Sequence, residues 1–111
     1  MILVIDDDPD TAFLVATHLE RAGFVVETVG TINDALAQLP HAEAIVSDRN
    51  LGDDDALLLF KDGRPSTIKF AILVTGDDVP QSQAQTAGFD DVARKPVDAA
   101  KLIARLKAVV S

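Results

Sequence analysis

The sequence predicts an α/β fold, a five-stranded parallel sheet with helices on both faces. Three observations carry that expectation. Short apolar runs alternate with stretches of helical spacing five times along the chain. The Phe70–Val74 run is continuously apolar instead of alternating, as a strand covered on both faces should be. Four of them also end in polar, chemistry-bearing residues, and open α/β sheets place their ligands at the carboxyl ends of the strands.

Ile2-Leu3-Val4-Ile5 is the first strand, closed by Asp6-Asp7-Asp8. Pro9 suits a first helical turn, where its missing N–H needs no partner. Leu14, Val15, His18, Leu19 and Ala22 follow at helical spacing, and Gly23 stands where a left-handed cap belongs. Val25, Val26 and Val29 make the second strand. Thr31 or Asn33 caps a helix with Ile32, Ala35, Leu36 and Leu39 inward, stopped by Pro40. The third strand, Ala44-Ile45-Val46-Ser47, ends in Asp48. A polar loop, residues 49–55, leads into a short helix over Ala56–Lys61, and Gly63 and Pro65 then break the chain. The fourth strand, Phe70–Val74, ends in Thr75-Gly76-Asp77. A brief helix over Pro80–Ala87 is followed by Gly88 and by the fifth strand, Asp91–Arg94, which ends in Lys95-Pro96. Asp98 caps a last helix with Leu102, Ile103, Leu106 and Val109 or Val110 on one face.

The 111 residues are expected to form one domain, with no output domain or linker. No apolar run approaches the ~18 residues of a membrane span. The N-terminus lacks the basic region of a signal peptide. Cysteine is absent, which excludes disulfides and thiolate metal sites and fits a reducing, cytoplasmic setting. A net charge of −8 argues against direct nucleic-acid binding.

If the strand ends converge, Asp6, Asp7 and Asp48 form a cluster of carboxylates that repel one another. Two unit charges ~4 Å apart cost about 4 kcal/mol at an effective dielectric near 20. A cation relieves this, and an all-oxygen donor set suits Mg²⁺, or Mn²⁺, better than a zinc cage. His18 and His41 lie elsewhere in the pattern. Lys95 adds an ammonium and Thr75 a hydroxyl. A carboxylate nucleophile, a divalent ion, a lysine and a hydroxyl are the parts of an aspartyl-phosphate site.

These motifs resemble the response regulator receiver domains of two-component signalling. The matching pieces are Ile-Leu-Val-Ile-Asp6-Asp7-Asp8-Pro9, Ala-Ile-Val-Ser-Asp48-Arg-Asn50-Leu, Ile-Leu-Val-Thr75-Gly and Arg-Lys95-Pro96. The resemblance implies a flavodoxin-like sheet of order 2-1-3-4-5, with the site between the first and third strands. It implies that Asp48 accepts a phosphoryl group from a sensor histidine kinase or a histidine phosphotransfer protein. Asp7 would then ligate Mg²⁺ directly and Asp6 mainly through water. The main-chain carbonyl of Asn50 would be a further ligand. Thr75 and Lys95 would bind the phosphoryl group, and the bond before Pro96 would be cis. An output protein would read the switched surface, and a homodimer stays open. On this reading the chain is a phosphoacceptor and turns over no external substrate.

The sequence also departs from the family. Val92 stands where an aromatic residue is usual in the last strand, Gly52 where proline is usual and Ala56 where glycine is usual. Asp53-Asp54-Asp55 reads as a solvated acidic loop with a helix cap, ahead of a second cation site or kinase-docking patch. Asn50 and Asp77 occupy positions that tune phosphoryl hydrolysis in relatives, or serve as turn formers. Phe13, Phe24, Phe60, Phe70 and Phe89 are expected in or against the core. Two other readings are a receiver-like interaction module that is not phosphorylated and a Mg²⁺-dependent phosphohydrolase. The latter needs a general acid two residues past its nucleophile, where Asn50 stands.

Overall fold

Five strands pair in parallel in a computed structural model that describes residues 1–110. They are β1 (Ile2–Ile5), β2 (Val26–Val29), β3 (Ala44–Asp48), β4 (Phe70–Thr75) and β5 (Asp91–Arg94), in the order β2-β1-β3-β4-β5. That is the expected order, with β1 and β3 side by side. The helices are α1 (Pro9–Arg21), α2 (Ile32–Gln38), α3 (Gln81–Thr86) and α4 (Ala99–Val109).

Strand side chains alternate between faces, so one sheet feeds two cores. Leu3, Ile5, Ile45, Ala71 and Leu73 point to the face covered by Ala35 of α2, Ala84 of α3, Phe60 and Phe89. Ile2, Val4, Val46, Ile72 and Val74 point to the other face, covered by Ala12 and Leu19 of α1 and Leu102 and Leu106 of α4. β1, β3 and β4 are buried along their whole length, as their continuous apolar runs required.

The caps follow local chemistry. The Asp8 carboxylate accepts from the Asp10 N–H and caps α1. Thr31, not Asn33, caps α2. Asp98 caps α4 by accepting from the Lys101 N–H. Gly23 and Gly88 take positive φ behind α1 and α3.

Several expectations need correction. The helix expected over Ala56–Lys61 is a single 3-10 turn, Ala56–Leu58. The loop before it is a small antiparallel hairpin pairing Asn50 with Asp55 and Leu51 with Asp54. Arg64 secures the remaining irregular stretch. Its guanidinium donates to the carbonyls of Gly88 and Ile68, both at 2.9 Å, and pairs with Asp90 at 2.9 Å. The inner face of α1 is made by Ala12, Ala16 and Leu19, with Leu14 58% exposed. Small residues there let the helix lie close to the sheet. Val25 precedes β2 and is exposed, and Leu36 on α2 is more exposed than buried neighbours such as Ala35. Phe13, expected against the core, is 73% exposed.

Candidate functional site

Register brings the site together. Ile5 lies opposite Ser47, so one further residue along each strand sets Asp6 beside Asp48. Asp48 lies opposite Val74, and Thr75 opposite Arg94, so Thr75 and Lys95 are the next steps on the adjoining strands. The Lys95 N–H donates to the Thr75 carbonyl at 2.8 Å, which ties the two strand ends together. The Lys95–Pro96 peptide is cis, as expected.

The carboxylates of Asp6, Asp7 and Asp48 each offer an oxygen within 4.8 Å of the others. Lys95 Nζ lies 3.1 Å from Asp48 Oδ1. Asp48 is 8% exposed and Thr75 only 1%. The Thr75 hydroxyl accepts from the Asp77 N–H at 3.0 Å, so the loop after β4 closes over it. Asp6 is also buried, and its Oδ1 accepts from the Asp8 N–H at 2.9 Å. Burial pushes the Asp6 carboxyl above its ordinary value of 3.8; the Asp8 N–H opposes this, and the charge of Asp48 adds to it. Asp8 moves the other way, held down first by the Thr11 hydroxyl and then by the Asp10 N–H. It serves α1, outside the three-carboxylate cluster.

The donor set fits a small hard cation. Oxygens around Mg²⁺ at about 2.1 Å lie roughly 3 Å apart when adjacent and roughly 4.2 Å when opposite. The three carboxylate oxygens are within a side-chain adjustment of that spacing. Three carboxylates meet one ammonium, that of Lys95, so the cluster carries an excess of negative charge.

Asn50 sits on the hairpin, exposed and close in sequence to Asp48. The Ala56 N–H donates to the Arg49 carbonyl at 2.8 Å, which marks 49 and 56 as a hydrogen-bonded pair. In an antiparallel ladder such pairs alternate, so Asn50 and Asp55 are a pair whose own N–H and C=O groups point away from each other. The Asn50 carbonyl is therefore not consumed by the hairpin. Asp55 caps the 3-10 turn and pairs with Arg49 at 3.6 Å, while Asp53 and Asp54 stay exposed. The acidic loop thus includes the expected cap.

Two features of the hairpin region are not foreseen from the sequence. The Gly52 N–H donates to Asp7 Oδ2 at 3.0 Å. Arg49 has a buried Nε with no hydrogen-bond partner. Neither has a motif to announce it. Beneath the carboxylates, a cavity of about 570 Å³ runs between α1 and α4 and is lined by Leu14, Val15, His18, Val97 and Leu102. Asp6, Asp48 and Lys95 line its upper end, while His18 lies outside the cluster of possible ligands, Asp6, Asp7 and Asp48. Val92 is half-buried against the core, and Arg94 beside it pairs with Asp78 of the loop after Thr75.

The model of the response regulator receiver domain matches residues 2–107. The chain belongs to this family. The receiver is 33% identical over 116 residues to the DNA-binding dual master transcriptional regulator RpaA of Synechocystis, covering 98% of this chain and 48% of that protein. It thus spans about half the length of that relative. A two-component response regulator from Clostridium difficile has a similar structure, with a TM-score of 0.86 at 26% identity, covering 98% of this chain and 93% of that one. A response regulator protein from Burkholderia pseudomallei superposes with a TM-score of 0.81 at 27% identity, over 96% of this chain and 70% of that one. Its crystal structure holds a phosphorylated aspartic acid, a calcium ion and citrate. Among the described residues of the receiver, no helix is long and apolar enough to cross a membrane.

Proposed function

We propose that Asp48 is the phosphoacceptor of this receiver, and that Asp6, Asp7, Asp48 and the Asn50 main-chain carbonyl hold Mg²⁺ or Mn²⁺ beside it. The observation that carries the reading is the meeting of three carboxylates within 4.8 Å, with the Lys95 ammonium 3.1 Å from Asp48. The phosphorylated aspartic acid and calcium of the similar Burkholderia protein support it.

The donor is a phosphohistidine on a sensor histidine kinase or phosphotransfer protein. An Asp48 oxygen attacks phosphorus as the P–N bond breaks, and the departing imidazole keeps the bonding pair and takes up a proton. The bound cation supplies charge neutralisation for the phosphoryl oxygens. Lys95 is close enough to Asp48 to exchange that carboxylate for a phosphoryl oxygen. The Thr75 hydroxyl, which now accepts from Asp77, has a free proton to donate to the same group. Moving Thr75 pulls the loop held by the Asp77 N–H, and this biases the surface read by an output partner. The domain consumes its donor on its own carboxylate and turns over no external substrate.

The test is intact-mass analysis after incubation with acetyl phosphate and Mg²⁺. One phosphoryl adduct is expected on the native chain and none on Asp48→Asn. An unmodified native chain would leave a receiver-like interaction module as the better description.

A further inference from the structure

The hairpin after Asp48 ends in a two-residue turn, with Gly52 and Asp53 at its tip between Leu51 and Asp54. Gly52 has φ +67°, and no non-glycine residue among those described has positive φ, so Asp53 is negative. Positive φ at the first central position alone is the type II′ pattern. The turn's own hydrogen bond uses the carbonyl before Gly52 and the N–H after Asp53. The Gly52 N–H is left over and points outward. It lands on Asp7 Oδ2 at 3.0 Å, joining positions 45 residues apart.

We propose that Gly52 is a positioning residue for the cation site, and that its N–H restricts Asp7 to one-oxygen coordination. This rests on the reading of Asp7 as a metal ligand. With Oδ2 occupied by the Gly52 donor, Oδ1 is the oxygen left fully open. Mg²⁺ needs octahedral geometry with single-oxygen carboxylates, whereas Ca²⁺ readily takes both oxygens of one carboxylate. Donors behind a ligand also fix its orientation, and their loss commonly weakens metal binding 10- to 100-fold. The same hairpin keeps the Asn50 carbonyl free, and the Ala56–Arg49 hydrogen bond and the Arg49–Asp55 ion pair hold its base. One short structure therefore orients two of the proposed ligands.

Calorimetric titration with Mg²⁺ and with Ca²⁺ tests this on the native chain, Gly52→Pro and Gly52→Ala. Proline removes the N–H but also locks φ near −65°, against the +67° of Gly52. Alanine keeps the N–H at positive φ, and its Cβ would meet nothing within 4 Å, so it reports the strain of that φ with the donor retained. Gly52→Pro should weaken Mg²⁺ about tenfold or more and Ca²⁺ clearly less. Gly52→Ala should stay near the native preference for Mg²⁺. Equal losses for both ions in Gly52→Pro, or a Gly52→Ala chain that behaves like Gly52→Pro, would overturn the proposal. Should the proline chain not fold, or fold without the hairpin, the Gly52 amide resonance of the native chain decides. Asp7→Ala should move it upfield and speed its exchange, and an unmoved resonance would refute the contact. A native chain that binds neither ion removes the site reading itself, a result distinct from native binding with no response at Gly52.

Discussion

Asp6→Asn should stabilise this receiver without metal and lose most or all of that advantage with metal. Asp6 has two carboxylate neighbours whose oxygens lie within 4.8 Å. At that separation and an effective dielectric near 20, each pair costs about 3.5 kcal/mol. The Lys95 ammonium cancels roughly one such interaction, and the exposure of Asp7 screens another part. About 1–2 kcal/mol of net repulsion and burial cost remains to be relieved. For a domain of this size that is a rise in Tm of about 4–8 °C. Asparagine keeps an Oδ1 acceptor for the Asp8 N–H, so that hydrogen bond survives. With Mg²⁺ at ~100 times its Kd the native chain gains about 2.7 kcal/mol, and a variant binding tenfold more weakly gains about 1.4 kcal/mol. The advantage of the variant should therefore shrink or reverse. The sign in pH is fixed as well. Folding raises the Asp6 carboxyl above 3.8, so the folded chain binds that proton more tightly than the unfolded chain does. The cost of the charge is absent below pH 3.8 and complete above the raised folded value. The difference between the two chains in EDTA should vanish as pH falls through that window. The assay is far-UV circular dichroism against temperature at low ionic strength, in EDTA and in Mg²⁺. An Asp6→Asn chain that melts below the native one in EDTA at neutral pH would refute the electrostatic account.

Arg64→Ala should cost about 1–3 kcal/mol in chemical denaturation, since it leaves the Gly88 and Ile68 carbonyls without their charged donor; a change below ~0.5 kcal/mol would mean that the stretch holds without it. Gly88→Ala should be destabilising twice over in the same denaturation experiment, with φ at +97° and the new Cβ 3.0 Å from Phe60 Cδ2 and 3.1 Å from Phe60 Cβ, and Phe60→Leu, which keeps Cβ and Cγ, should not restore the loss. Leu73→Ala, fully buried in the centre of the sheet, should cost about 2–5 kcal/mol in the same denaturation experiment.

What could be read from the residues follows from how each part is held. β1, β3 and β4 are buried on both faces, so each is a continuous apolar run, too short for a buried helix. The convergence of Asp6, Asp48, Thr75 and Lys95 followed without further signal, because parallel register puts consecutive strand ends side by side. On α1 the helical spacing picks out Leu19, which is buried, but the rest of the inner side is Ala12 and Ala16, too small to stand out, while Leu14 lines the groove toward α4. The hairpin was illegible for a different reason. Its register comes from backbone pairing and one glycine with positive φ, while its side chains are mostly acids that carry no alternation. The missing helix after Ala56 belongs with it. Gly63 and Pro65 rule out a long helix, yet only the folded chain reveals that Arg64, between them, bonds to two carbonyls and an acid in its place. Apolar pattern thus locates the strand ends, and with them the carboxylates. How those carboxylates are oriented depends on main-chain donors such as the Gly52 N–H, which every residue except proline carries and which therefore leaves no trace in composition.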